Sequence, residues 1–484
     1  MRFSQFLTYL ACFLITANAV VAQKPTPTPE RNREIVALLN NARFAAPELA
    51  VDTFLRVVES KKVKDPDWRR EILEEALRMA DDVKYPIRRE RAFRGTGIVD
   101  TVSGYMTYAF DQKLDTLSIK ARIIKDILPD DKDRARQLVF QIGGDLKLKP
   151  LTCDDALGYN VEDIYTSVGA VANAAFTAAE IKDGARGLFL LPWIDNIQSP
   201  SQIKPAIEML TIIQRGPTVE RRLLINTLER AINRNFSDDL SFSHAFRRDA
   251  HKAAAFLMAS DNKEESMSAW RDMIVKNSAG PRCLESKPKK GELPQPASTY
   301  NPIFSEEKQF KLEDFESVEY RGEPKDKLYL DSPMYKKVSV LYKTAREKKN
   351  LPENKEDKAA QLEWQLKVSE VLDLLDSWKA TADEPEREVF NLKAGWYGDV
   401  IDQVEEPAVK LIVIRAFLRY LAGSPMQKDS FIEWLLYAKG TAAKFPDEFK
   451  NIVGEFPNPN FKVMIDSKKV LSSAADRSPK ITVK

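Results

Sequence analysis

The chain is poor in the side chains from which metal centres and acid–base sites are most often assembled. It has only two histidines, His244 and His251, and three cysteines in 484 residues. The histidines stand seven positions apart in SFSHAFRRDAHKAAAF. On a helix that spacing separates them by about 10 Å along the axis, too far to share one metal as an i, i+4 pair does. Asp238, Asp239 and Asp249 lie nearby in sequence, but no H-E-x-x-H, paired C-x-x-C or EF-hand spacing organises them. Phosphate-binding and nucleophile-elbow motifs are missing too. Gly95-Thr96-Gly97 is followed by Asp100 where a dinucleotide loop needs its third glycine. Neither a G-x-x-x-x-G-K-[ST] loop nor a G-x-S-x-G turn occurs. No metal or organic cofactor is expected from this inventory.

Glycine is scarce as well, at 18 residues, while charged residues make up 30% of the chain. Turn-rich β architectures need more glycine, so the composition favours helices. Net charge is also small, +2 at pH 7, which gives no field for attracting nucleic acid or an anionic membrane. Beyond the N-terminus no run reaches the length of a membrane span; the richest stretches are 168–181 and 187–194. Stable membrane insertion of the mature chain is not expected.

The N-terminus is different. MRFSQFLTYLACFLITANAVVA has a positive Arg2, an apolar core over 6–15 and small residues before Val20 and Gln23. That is the layout of a secretory leader of residues 1–22, followed by a proline-rich spacer over 23–29. Export to a secreted, periplasmic or cell-envelope location is expected. Cys12 would leave with the leader, so Cys153 and Cys283 are the pair that an oxidising compartment could join as a disulfide; two separate thiols are the alternative.

What the chain has in abundance is helical periodicity. Ile35, Leu38, Leu39 and Ala42 mark one apolar helix face. Val409, Ile412, Val413, Ala416, Phe417, Tyr420 and Leu421 mark another over more than three turns. Asp65 before Pro66 is a helix start, and Tyr85-Pro86, Leu128-Pro129 and Gly216-Pro217 are stops. The fold class is all-α, with helical hairpins arranged as an α-solenoid or an irregular array over 30–280. A proline-rich linker or loop spans 281–305, a second mainly helical module spans 306–471, and a flexible tail spans 472–484. Basic-residue usage supports the division. Between Gln23 and Gly280 there are 23 Arg and 16 Lys, whereas from Pro281 onward there are 7 Arg and 27 Lys. Alternation in KQFKLEDFESVEY and PNPNFKVMIDS predicts short strands over Lys308–Tyr320 and Phe461–Ser467.

The densest basic cluster, Arg88, Arg89, Arg91 and Arg94, precedes Tyr105 and Tyr108. Arginines beside aromatics form a candidate ligand surface, with a solvated helix face as the bland alternative. Trp193, Trp396 and Tyr397 are open to the same two readings, ligand surface or core, and aromatics at helical spacing are usually core. Carboxylate pairs such as Glu74-Glu75, Asp81-Asp82 and Glu405-Glu406 point in different directions on a helix and are expected on solvated faces. With no catalytic constellation in view, the reading favours an exported, non-enzymatic helical protein that binds or scaffolds another protein, or a carbohydrate. The alternatives are a helical-fold hydrolase or lyase acting on polysaccharide through carboxylates in a groove, and a passive structural component of the envelope.

Overall fold

The computed structural model describes, in the main, residues 31–83, 87–88, 108–143, 158–211, 217–232, 263–278, 291–293, 295–315, 358–379, 386–404, 406–424, 431–441 and 445–471. The leader, the spacer and the tail lie outside that set. The described chain is all-α. Its one pairing of extended segments joins β1 (Ile87–Arg88) to β2 (Gly158–Tyr159), antiparallel, with Ile87 opposite Tyr159.

The first helices follow the periodicity closely. In α1 (Arg33–Ala42) the four marked residues Ile35, Leu38, Leu39 and Ala42 are all buried, and the Asn32 side chain caps the start by accepting from the Glu34 and Ile35 amides. The chain turns into α2 (Pro47–Glu59) and then α3 (Pro66–Met79), where Asp65 caps and Pro66 occupies the first helical position. The short α4 (Tyr108–Asp111) precedes α5 (Thr116–Ile127) and α6 (Lys132–Ile142), the latter pair capped by Asp115 and Asp131. Next come α7 (Glu162–Ala174), α8 (Ala178–Lys182), α9 (Ala185–Asp195), α10 (Ile203–Thr211), α11 (Thr218–Ile232) and α12 (Lys263–Ser278).

Within the proline-rich stretch, residues 295–304 are packed. Gln295–Tyr300 forms α13, a 3-10 turn follows at Asn301–Ile303, and Ala297, Tyr300 and Phe304 are buried in the same apolar cluster as α1–α3, α5–α7 and α9–α12. The strand expected from Lys308 is replaced, over its described part, by 3-10 turns at Glu306–Lys308 and Leu312–Phe315. Side chains outcompete ladder pairing here. Asn301 accepts from the Phe310 amide at 2.6 Å, and Asp314 accepts from the Lys311 amide at 2.8 Å. Phe304 and Phe310 then meet edge to face, and Phe310 and Phe315 pack at a tilt, with neighbouring centroids 5.3 and 5.9 Å apart.

The remaining helices are α14 (Lys358–Ser377), α15 (Glu386–Gln403), α16 (Pro407–Ala422), α17 (Phe431–Thr441), α18 (Pro446–Gly454) and α19 (Pro459–Leu471). They share a second apolar cluster centred on Phe390, Tyr397, Phe417 and Trp434. In α16 the marked apolar face is buried except for Tyr420, which is half-buried, and Ile412, which is 53% exposed on its flank.

The strand expected at Phe461–Ser467 is instead the middle of α19. A short run such as FKVMI fits both periods. The helical one wins because Asn460, Val463, Ser467 and Leu471 fall on one buried stripe. That stripe seats α19 against α1 and α2 at the other end of the chain. Val463 and Leu471 join the first cluster and Phe461 the second, so one helix is shared by both. The seam is polar in its details. Asn460 Oδ1 accepts from the buried Ala46 amide at 2.7 Å, the Thr53 and Ser467 hydroxyls lie 3.4 Å apart, and Lys62 Nζ donates to the Val470 carbonyl.

Candidate functional site

The residues expected to form a ligand surface are only partly in view. Arg88 lies in β1 opposite Gly158, and Tyr108 opens α4. Arg89, Arg91, Arg94 and Tyr105 fall outside the described residues, as do Cys153, Cys283, His244 and His251. The aromatics fall where periodicity puts them. Trp193, Trp396 and Tyr397 are buried. Of the carboxylate pairs, Asp81 is exposed, in an ion pair with Lys120 at 2.7 Å, while Glu74 and Glu75 are half-buried and hold Arg134 at 2.8 Å and Arg43 at 2.5 Å.

Buried polar groups are spent in the same way. Tyr165 donates from its hydroxyl to the Trp193 carbonyl and accepts from Gln202 Nε2, whose Oε1 in turn accepts from the Gln198 and Ser199 amides. This chain of bonds stitches α7, α9 and the entrance to α10. Burial raises the Tyr165 phenol well above the usual tyrosine range. Asp115 is buried at the cap of α5, accepting from Ser118 and Asn160; burial raises its carboxyl against the pull of those bonds. In the C-terminal cluster Lys393 donates to the Trp378 carbonyl at 2.9 Å, just past the end of α14, and lies 4.8 Å from the Tyr420 ring centre. Burial lowers its ammonium below the usual lysine range. A lysine in this position caps a helix end. Tyr397 beside it donates to Asp376 at 2.5 Å.

Together with the Trp270 and Trp378 indole nitrogens, Asp126 is an exception, and the charged one. It sits where α2, α3 and α5 meet, and its Oδ2 is buried with no hydrogen-bond partner among the described residues. Its nearest cation is Arg69, 3.8 Å from Oδ1. Burial and the neighbouring Glu59 carboxylate push its carboxyl up to about 6, against the pull of Arg69, Arg122 and Lys125. A carboxyl whose folded value lies above its unfolded 3.8 makes folding less favourable as pH rises from 4 through 6. The full shift corresponds to roughly 3 kcal/mol, and partial solvent access reduces that to about 1–2 kcal/mol. Asp126→Asn is therefore expected to stabilise the protein by about 1–2 kcal/mol at pH 7 and by almost nothing at pH 4. Urea titrations at both pH values check this; equal effects at the two would contradict the assignment.

The helix pair α9–α11 combines a rigid base with an unburied apolar face. Arg186 and Glu220 form a bidentate ion pair across it, Nε to Oε1 at 3.0 Å and Nη2 to Oε2 at 2.6 Å, with side chains 7% and 2% exposed. Such a fork-to-fork contact fixes register as well as distance. The approach is close because residue 187 is glycine: a Cβ there would meet Glu220 Cγ at 3.1 Å. Gly184, at φ +82°, supplies the left-handed turn that swings the chain from α8 into α9. Above this base Leu188 is 64% exposed, Val219 82% and Leu223 41%. Val219 and Leu223 are one turn apart on the same helix face. Pro192 lies inside α9 and has no N–H to give to the Leu188 carbonyl four residues earlier.

Among the described residues no group of three or more His, Cys, Asp or Glu side chains converges as a metal site, and no helix is long and apolar enough to cross a membrane. Comparison of the chain with protein families, curated proteins and solved structures finds no match.

Proposed function

We propose that the chain is an exported helical binding or scaffolding protein that engages another protein through the outer face of α9 and α11. The observation that carries this reading is the exposed trio Leu188, Val219 and Leu223 on a helix pair locked from beneath by a buried ion pair. Large aliphatic side chains held in water by a rigid base gain free energy when a partner covers them, and the base need not reorganise to let that happen. Stacked helical hairpins are the arrangement that best presents such a face, and the successive packing of α5 on α7, α7 on α10 and α9 on α11 is consistent with one. Export is supported by the leader-like residues 1–22.

The test is affinity capture of the tagged mature protein from its own host beside the triple variant Leu188→Ser, Val219→Ser, Leu223→Ser. All three side chains are exposed, so the variant should keep the parent's unfolding midpoint. An identified partner retained by the parent and lost by the variant is expected; a partner retained equally by both places the interface elsewhere.

A further inference from the structure

The exposed face of α11 carries a chemical bias that its apolar residues alone do not reveal. Its exposed residues are Thr218, Val219, Arg222, Leu223, Asn226 and Arg230. None is acidic. Both carboxylates of the helix are turned away and engaged, Glu220 with Arg186 and Glu229 with the Ser266 hydroxyl. Arg222 forms no ion pair among the described residues, and Arg230 makes its described contact with the Thr227 hydroxyl, 3.1 Å away within its own helix. Leu188 follows directly on Arg186 and Gly187, the two residues through which α9 meets Glu220. On α9 the one exposed carboxylate, Asp195, lies seven residues beyond Leu188 at the far end of the helix and has an interaction of its own.

An unburied face of aliphatic side chains interleaved with arginines, with its own acids withdrawn, is complementary to the opposite pattern. We infer that this face docks an acidic amphipathic segment of a partner protein. Its aliphatic side chains would cover Val219, Leu223 and Leu188, and its carboxylates would meet Arg222 and Arg230. The inference rests on the binding function proposed above and adds the chemistry of the partner. Arginine suits the role because its planar fork takes a carboxylate in a bidentate manner while its stem covers apolar surface.

The test uses three synthetic helical peptides labelled for fluorescence anisotropy: one with leucines at i, i+4 flanked by glutamates, a twin with lysine for every glutamate, and a twin with serine for every leucine. The mature protein should bind the Glu/Leu peptide roughly tenfold or more tightly than either twin, with an affinity that falls as salt is raised. Arg222→Glu should shift the preference toward the Lys/Leu peptide, and Leu223→Ser should weaken both. Circular dichroism melts confirm that the variants remain folded. Equal affinity for the Glu/Leu and Lys/Leu peptides, or a preference unmoved by Arg222→Glu, overturns the inference. A host partner that is lost on Val219→Ser and indifferent to Arg222→Glu also overturns it while leaving the binding reading intact.

Discussion

Replacing Arg186 by methionine is expected to cost about 3–5 kcal/mol of folding stability, because it strands the buried Glu220 carboxylate without its one ion-pair partner among the described residues. Glu220 is 4% exposed, and both of its oxygens are taken by Arg186. The loss comes from the unpaired charge left behind rather than from the net worth of the pair. The double variant Arg186→Met, Glu220→Leu should therefore recover most of what the single one loses. Reciprocally, Glu220→Leu alone should be severe, since it buries an unpaired guanidinium. Guanidinium chloride titrations of the four proteins close the cycle. A single-variant loss under about 1 kcal/mol, or additive losses in the double, would mean that the two charges are not sealed from water as the geometry indicates.

Ending the chain after Asn458 should have a still larger effect. It removes α19, and with it Phe461 from the second apolar cluster and Val463 and Leu471 from the first. Burial of three such side chains contributes roughly 5–9 kcal/mol. Loss of the Asn460 acceptor also leaves the Ala46 amide unsatisfied, at a cost of about 1–3 kcal/mol. The sum is comparable to the whole stability of an ordinary domain, about 5–15 kcal/mol. The shortened protein should lose its cooperative melt and its near-ultraviolet circular dichroism while keeping much of its far-ultraviolet helical signal. A melt within a few degrees of the full chain would show that α19 is an appendage.

Local structure was far more legible in the sequence than the tertiary pairings. The apolar stripes of α1 and α16 and the cap at Asp65 are short-range signals, and they mark helices where helices form. The error at α19 has the same short-range origin. Alternation over Phe461–Ile465 suits a strand, and only the partnership of Asn460, Val463, Ser467 and Leu471 with helices over 400 residues earlier decides for helix. The face of α11 is hidden in the sequence for a different reason. Leu223 and Leu224 are adjacent and chemically identical, yet Leu224 is fully buried and Leu223 is 41% exposed. No local signal separates them until the neighbour of α11 is known. Arg186 and Glu220, 34 positions apart, likewise look like ordinary surface charges in sequence. The charge density of Arg88–Arg94 is visible along the chain, whereas a face made by folding is not.

We propose that this protein works by presenting the outer face of α9 and α11 to a partner. Amide hydrogen exchange of the mature protein, alone and saturated with the partner recovered from its host, tests it most directly. Slowed exchange confined to 185–195 and 218–232, with α19 unchanged, is the expected result. Protection elsewhere with those two helices exchanging as in the free protein would contradict the account.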